Sequence, residues 1–179
     1  MKLFTIGHSN HSADKFIQLL DGHSVNMLVD VRSTPYSRFN PQFNMNSLQK
    51  HLHLKGIWYV YAGDKLGGRT KDPTCYIHHA IPPRSADFIA EILYAEVMKR
   101  PWFFEGITEL LDLTNHQTTC IMCSEKDPAM CHRHHLIASY LVANHPEVAV
   151  LHILPDGDLI EASAIGFQKG QSDNQQISF

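Results

Sequence analysis

VNMLVDVRS, residues 25–33, is a nearly continuous apolar run that turns polar at Asp30. A strand with one wet face alternates apolar and polar residues, whereas an unbroken run fits a strand covered on both faces. The flanks agree. Upstream, LFTIGHS (3–9) is a β-rich run ending in Gly-His-Ser. Between the two, Ser12 caps a helix whose Phe16, Ile17, Leu19 and Leu20 recur at helical spacing, with Gly22 ending it. Downstream, STPYSRFNPQFN (33–44) is a loop punctuated by Pro35 and Pro41. A short helix around Leu48 and Leu52 stops at Gly56, and IWYVYAG (57–63) is a third strand.

The pattern continues to the C-terminus. Residues 70–84 contain three prolines and read as irregular. Ser85 is placed to cap a helix with Phe88, Ile89, Ile92 and Leu93 on one side, broken by Pro101, and another helix covers about Trp102 to Leu113. TTCIMCS (118–124) is a fourth strand, and Asp127-Pro128 starts a helix predicted to run to about Ala143. VAVLHIL (148–154) is a fifth strand, closed by Pro155 and Gly157. Strands alternating with helices predict an α/β fold: three layers, a mainly parallel five-stranded sheet with helices on both faces, Rossmann-like. One domain is expected over 1–160, followed by a polar, mobile tail over 161–179.

With 179 residues the chain is long enough for one well-buried core. No apolar run reaches the length of a membrane span, and MKLFTIGHSN has no extended apolar stretch of the signal-peptide kind. Four unevenly spaced cysteines do not form a disulfide framework, so a reducing cytoplasm is the expected setting. The net charge of −3 is uneven: residues 1–70 carry eight Lys/Arg against four Asp/Glu, and the remainder seven against fourteen. Several early arginines stand beside glycine or proline in loops, which points to an anionic ligand. A pI near 6.5 argues against a strong nucleic-acid binder.

In a parallel sheet, right-handed crossovers bring every strand-to-helix loop to one edge, where open α/β folds bind ligands. Gly7, His8 and Ser9 follow the first strand; Asp30, Arg32, Ser37 and Arg38 the second; Gly67, Gly68 and Arg69 the third; Cys123 and Glu125 the fourth. With Arg133, four guanidiniums are expected to reach one crevice, their forks suited to phosphate or carboxylate. Gly67-Gly68 would admit close backbone approach of a ligand.

CIMCSEKDPAMCHRHH (120–135) raises a zinc or redox reading. Strand alternation turns Cys120 and Cys123 to opposite faces, which leaves Cys120 as a small core residue and Cys123 at the crevice edge. At 100° per residue, Met130, Arg133, His134, Ile137, Tyr140 and Leu141 share one helix face, with Cys131 at its margin and His132 and His135 turned away. A Cys123–Cys131 redox couple stays open at this level.

Taken together, TIGHSNHS, LVDVRSTPYSRFNPQFN, GIWYVYAGDKLGGR, CSEKDPAMCHR and LHILPDG give the chain a close resemblance to the family catalogued as domain of unknown function 488. The likeness spans about residues 3 to 157. It implies signature positions at Gly7, His8, Ser9, Asp30, Arg32, Pro35, Ser37, Arg38, Pro41, Phe43, Gly67, Gly68, Arg69, Cys123, Glu125, Cys131, His132 and Arg133, and it leaves Cys120, His134 and His135 outside them. It implies no reaction. A looser similarity is to rhodanese-like and cysteine-phosphatase domains, but CSEKDPAMCHR lacks their compact loop with an arginine six residues after the cysteine, and Glu125 would repel an anion there.

The expectation is an enzyme acting on a phosphorylated, nucleotide-like or nucleic-acid substrate. Arg32, Arg38, Arg69 and Arg133 would hold anionic groups, assisted by Ser9, Ser37, Gly67, Gly68, Cys131 and His132. Asp30, Glu125, His8 and Cys123 would carry the acid/base chemistry. This scheme requires no cofactor and no metal ion. The alternatives are a non-catalytic module binding an anionic small molecule or nucleic acid in the same crevice, and a zinc-binding or thiol-redox protein.

Overall fold

The computed structural model describes residues 1–83 and 85–167. In chain order it contains β1 (Lys2–Gly7), α1 (Ala13–Asp21), β2 (Met27–Asp30), α2 (Met45–His53), β3 (Trp58–Tyr61), α3 (Gly63–Leu66), α4 (Phe88–Glu91), α5 (Tyr94–Val97), α6 (Pro101–His116), β4 (Thr119–Cys123), α7 (Ser139–Asn144), β5 (Ala149–Ile153) and β6 (Leu159–Glu161), with short 3₁₀ turns and one π-helical segment between them. The strands lie in the order β3-β2-β4-β1-β5-β6. Every neighbouring pair is parallel except β5 with β6.

From β1 to β2 to β3 the chain travels one way across the sheet, and from β3 to β4 to β5 it travels back. Right-handed crossovers of opposite direction lie on opposite faces, and the two cores follow from that. One joins Phe16 and Leu20 of α1 and Leu48 and Leu52 of α2 to Phe4, Ile6, Leu28 and Cys120 of the sheet. The other joins Phe103, Ile107 and Leu110 of α6 and Leu141 of α7 to Val29, Ile121, Cys123 and Val150. This is a three-layer, Rossmann-like α/β fold. All four residues of β2 are buried, as its unbroken apolar run requires. Cys120 and Cys123 fall in different cores, as alternation along β4 requires.

Three expectations are corrected. The sheet has a sixth strand: the Leu154 carbonyl accepts from Gly157 N–H at 2.9 Å, Leu154 N–H donates to the Asp158 carbonyl at 2.8 Å, and Gly157 at φ +99° permits the tight reversal, so the chain returns antiparallel along β5. After β6 the chain still packs on the sheet and helices, with Ala162 buried and the Phe167 ring stacked on His134. Residues 168–179 of the expected tail lie outside the described residues.

Residues 85–100 do not form one helix. Asp87, not Ser85, caps α4, and Ile92 is extended and bridges antiparallel to Tyr76 before α5 begins. Both Tyr76 and Ile92 are buried, and their burial outweighs the helical periodicity.

The helix after β4 is also broken. Asp127 caps a single 3₁₀ turn, Pro128–Met130, and Cys131 is then extended at φ −143°, ψ 140°. A π-helical segment, Arg133–Ala138, leads into α7. The interruption re-aims every side chain near it. Met130 is exposed, whereas Cys131 and His132 are buried.

Candidate functional site

A cleft of about 510 Å³ opens at the C-terminal edge of the sheet, beside β2, β3 and β4. Adjacent β2 and β4 feed their loops to opposite faces, and that divergence is what opens a crevice in folds of this class. Its walls include Arg32 and Tyr36 after β2, Gly68 and Arg69 after β3, Phe88 and Tyr94 from α4 and α5, and Cys123, Glu125, Met130, Cys131 and His132 after β4.

Arg32 is fixed before any ligand arrives. Its Nη2 lies 2.6 Å from Asp30 Oδ2 and 2.8 Å from the Phe43 carbonyl, and its Nε lies 2.9 Å from Asp30 Oδ1. The Arg32 N–H also donates to Asp30 Oδ1, which turns the chain at the end of β2. Tyr59 O–H donates to Asp30 Oδ2 at 2.8 Å. The Asp30 carboxylate is fully buried and shared between Arg32 and Tyr59, so its charge is matched in place. His8 lies beneath this pair, stacked on Phe43. Its Nδ1 donates to the Ser9 carbonyl at 2.8 Å, and its Nε2 accepts from Arg32 Nη1 at 3.2 Å. Burial, with the adjacent guanidinium, lowers the His8 pKa to about 4, so the ring is neutral at pH 7.

Of the four expected guanidiniums, two line the cleft, Arg32 and Arg69. Arg69 is exposed, its guanidinium 4.1 Å from the Phe88 ring centroid. Arg38 is exposed outside the cleft walls, over Phe39. Arg133 is fully buried and does not line the cleft; it donates to the carbonyls of Glu125 at 2.6 Å and Lys126 at 3.1 Å. Asp30, His8, Ser9 and Ser37 also fall outside the walls. Ser37 Oγ accepts from Asn40 N–H, and Ser9 N–H donates to the Ser124 carbonyl.

The glycines serve the protein's own packing. A Cβ on Gly7 would stand 1.8 Å from the Glu125 carbonyl oxygen, so only glycine lets the loop after β4 cross there. A Cβ on Gly67 would meet the Gly63 carbonyl oxygen at 2.2 Å, and one on Gly68 the His132 ring at 2.7 Å. Gly67-Gly68 thus makes room for the Gly63 carbonyl and the His132 ring, and Gly68 also lines the cleft.

At the cleft floor, Cys123 Sγ lies 3.5 Å and Cys131 Sγ 3.9 Å from His132 Nδ1. His132 Nε2 donates to the Val31 carbonyl oxygen at 3.0 Å. The Cys131 thiol beside it and burial push the Cys123 thiol well up, whereas at Cys131 burial is outweighed by the Cys123 thiol and the charges of Arg133 and His132, which pull that thiol well down. On the wall, partial desolvation and the neighbouring Cys131 raise the Glu125 carboxyl.

The family model described as domain of unknown function DUF488 matches residues 12–141. The chain belongs to the DUF488 family. No curated protein and no solved structure matches it. The stretch matched by the DUF488 model holds the Asp30–Arg32 pair, Gly68, Arg69 and the whole floor from Cys123 to His132, whereas His8 and Ser9 precede it. Phe88, Tyr94 and Met130 of the DUF488 domain line the cleft, though none was among the expected site residues. Their signal was absent: apolar residues at helical spacing read as core, and only the break at Ile92 brings Phe88 and Tyr94 to one wall.

Proposed function

We propose that this cleft is the active site of an enzyme that takes a small phosphorylated or nucleotide-like substrate and works by acid/base chemistry. The observation that carries the reading is Arg69, a cleft-lining guanidinium with no carboxylate ion pair among the described residues. A guanidinium fork in that state has its hydrogen-bonding capacity left for an anion. Phe88, Tyr94 and Tyr36 supply flat apolar area for a ring next to the charged group. Of the two carboxyls lining the cleft, Asp87 caps α4 by accepting the Ile89 N–H, and Glu125, exposed on the wall, is the one that would exchange a proton with substrate. Asp30 and His8, engaged with Arg32, hold that arginine in position.

The test is calorimetric titration with nucleoside monophosphates, sugar phosphates and inorganic phosphate, with ³¹P NMR following any turnover. Arg69→Ala should weaken binding by about tenfold or more, the worth of a charge-assisted pair. Its melting temperature should stay within a few degrees of the wild type, because Arg69 is exposed. Absence of binding across the set, or equal affinity in Arg69→Ala, rejects the reading.

A further inference from the structure

We propose that Cys123 Sγ, Cys131 Sγ and His132 Nδ1 form a three-ligand site for a thiophilic d-block ion of the zinc class, with the fourth coordination position open to the cleft. The three donor atoms converge on one point, all lying within 4.8 Å of one another. A tetrahedral ion with ordinary Zn–S and Zn–N bonds holds sulfur and nitrogen about 3.5 Å apart and two sulfurs about 3.8 Å apart. The sulfur-to-Nδ1 distances here are 3.5 and 3.9 Å. Little rearrangement separates the side chains as they stand from a coordination shell.

The support around the donors is that of a ligand set. His132 Nε2 donates to the Val31 carbonyl, which turns the ring's Nδ1 toward the two sulfurs. Gly68 closes on the same ring, where even a Cβ would come within 2.7 Å, so ring rotation is blocked. The donors sit on different local structures: Cys123 ends β4, Cys131 is the extended residue, and His132 leads the π-helical segment. The break that stops a continuous helix is what lets adjacent Cys131 and His132 turn toward Cys123. All three residues line the cleft, so an ion there would meet cleft water or a substrate heteroatom. Three protein ligands with one open position is the arrangement of a catalytic ion; a structural one is closed by four. Binding would expel the remaining thiol protons to solvent. Cys120 and Cys75 take no part, since Cys120 lies in the opposite core and Cys75 is in the loop before α4.

The site stands on ligand geometry, independent of the anionic substrate proposed above. The test is titration of reduced, untagged, metal-free protein with cobalt(II). One equivalent should produce tetrahedral d–d bands and a thiolate-to-cobalt charge-transfer band, and zinc should displace the cobalt. Cys123→Ser, Cys131→Ser and His132→Ala should each lower cobalt affinity by more than about 100-fold. Cys120→Ser and Cys75→Ser should leave the spectrum unchanged, and circular dichroism reports whether each variant is folded. An octahedral spectrum or no band in the folded wild type overturns the proposal, as does loss of the band in Cys120→Ser with retention in Cys131→Ser. The readout is blind to phosphate binding, so this site and the proposed substrate can fail separately.

Discussion

Arg133 is the largest of the fully buried side chains among the described residues, and its guanidinium ties down the loop after β4 through two carbonyls. Arg133→Met should keep much of the volume yet leave the Glu125 and Lys126 carbonyls without their charged donor. The expected cost is about 3 kcal/mol, read as a lowered urea midpoint with unchanged m-value. Arg32 and Arg69 show the same limit on sequence reading from the other side. All three arginines stand beside strand-end loops in sequence, and nothing local says which points into solvent, which into a carboxylate and which into the core. Arg32 announced its partner, because Asp30 is two residues away and the strand's end turns them together. Arg133 did not, because its placement depends on a backbone break at Cys131 that carries no proline or glycine.

Among the elements, α1 was legible from end to end. Ser12 Oγ accepts the Lys15 N–H at 3.2 Å, four apolar residues are buried, and Gly22 ends the helix. Ser12→Ala should therefore cost about 1 kcal/mol, measurable by thermal or urea unfolding, with no change at the cleft. β1, β2, β4 and β5 were legible for the same reason, since local pattern and burial agree, and the edge strand β3 was legible from its apolar run alone, with none of its residues buried. β6 was not, since LIE is three residues at a sheet edge with none buried. The segment after β4 was misread because the 100° wheel presumes unbroken α-geometry. A π-helical segment winds more residues per turn, and an extended residue before it resets the phase. That is why His132, read as outward, lies at the cleft floor.

Across the whole molecule, the second core holds a directional chain of histidines. Thr5 O–H donates to His152 Nδ1 at 2.7 Å, His152 Nε2 to His134 Nδ1 at 3.0 Å, and His134 Nε2 to the Gly166 carbonyl at 3.3 Å. Burial first, then the charges of Arg133 and His134, lower His152 from 6.5 to about 3, while Cys131 opposes the shift. In the unfolded chain His152 takes up its proton near pH 6.5, and the folded chain refuses it until about 3. Stability from this group is therefore complete above pH 6.5 and drains as the pH falls through that window, at up to about 1.4 kcal/mol per pH unit. His152→Gln, which offers an acceptor and a donor but does not titrate, should show a shallower acid loss in urea unfolding at stepped pH. An equal slope in both proteins would remove His152 as the source.

The strand order bears on how the chain is made as well as on where its cleft lies. β4 occupies the space between β1 and β2, which share no pairing of their own. A nascent chain emerging from the ribosome has β1, β2 and β3 in hand long before Thr119–Cys123 appears, and only β2 and β3 then have each other. The central plank of the sheet arrives late, and two strands wait for it, β2 with one edge open and β1 with both. A fragment ending at His116 should show no cooperative melt by circular dichroism. Synthesis of this protein therefore contains an interval in which β1, among its most apolar segments, is in the open, and holding chaperones have their time to act there.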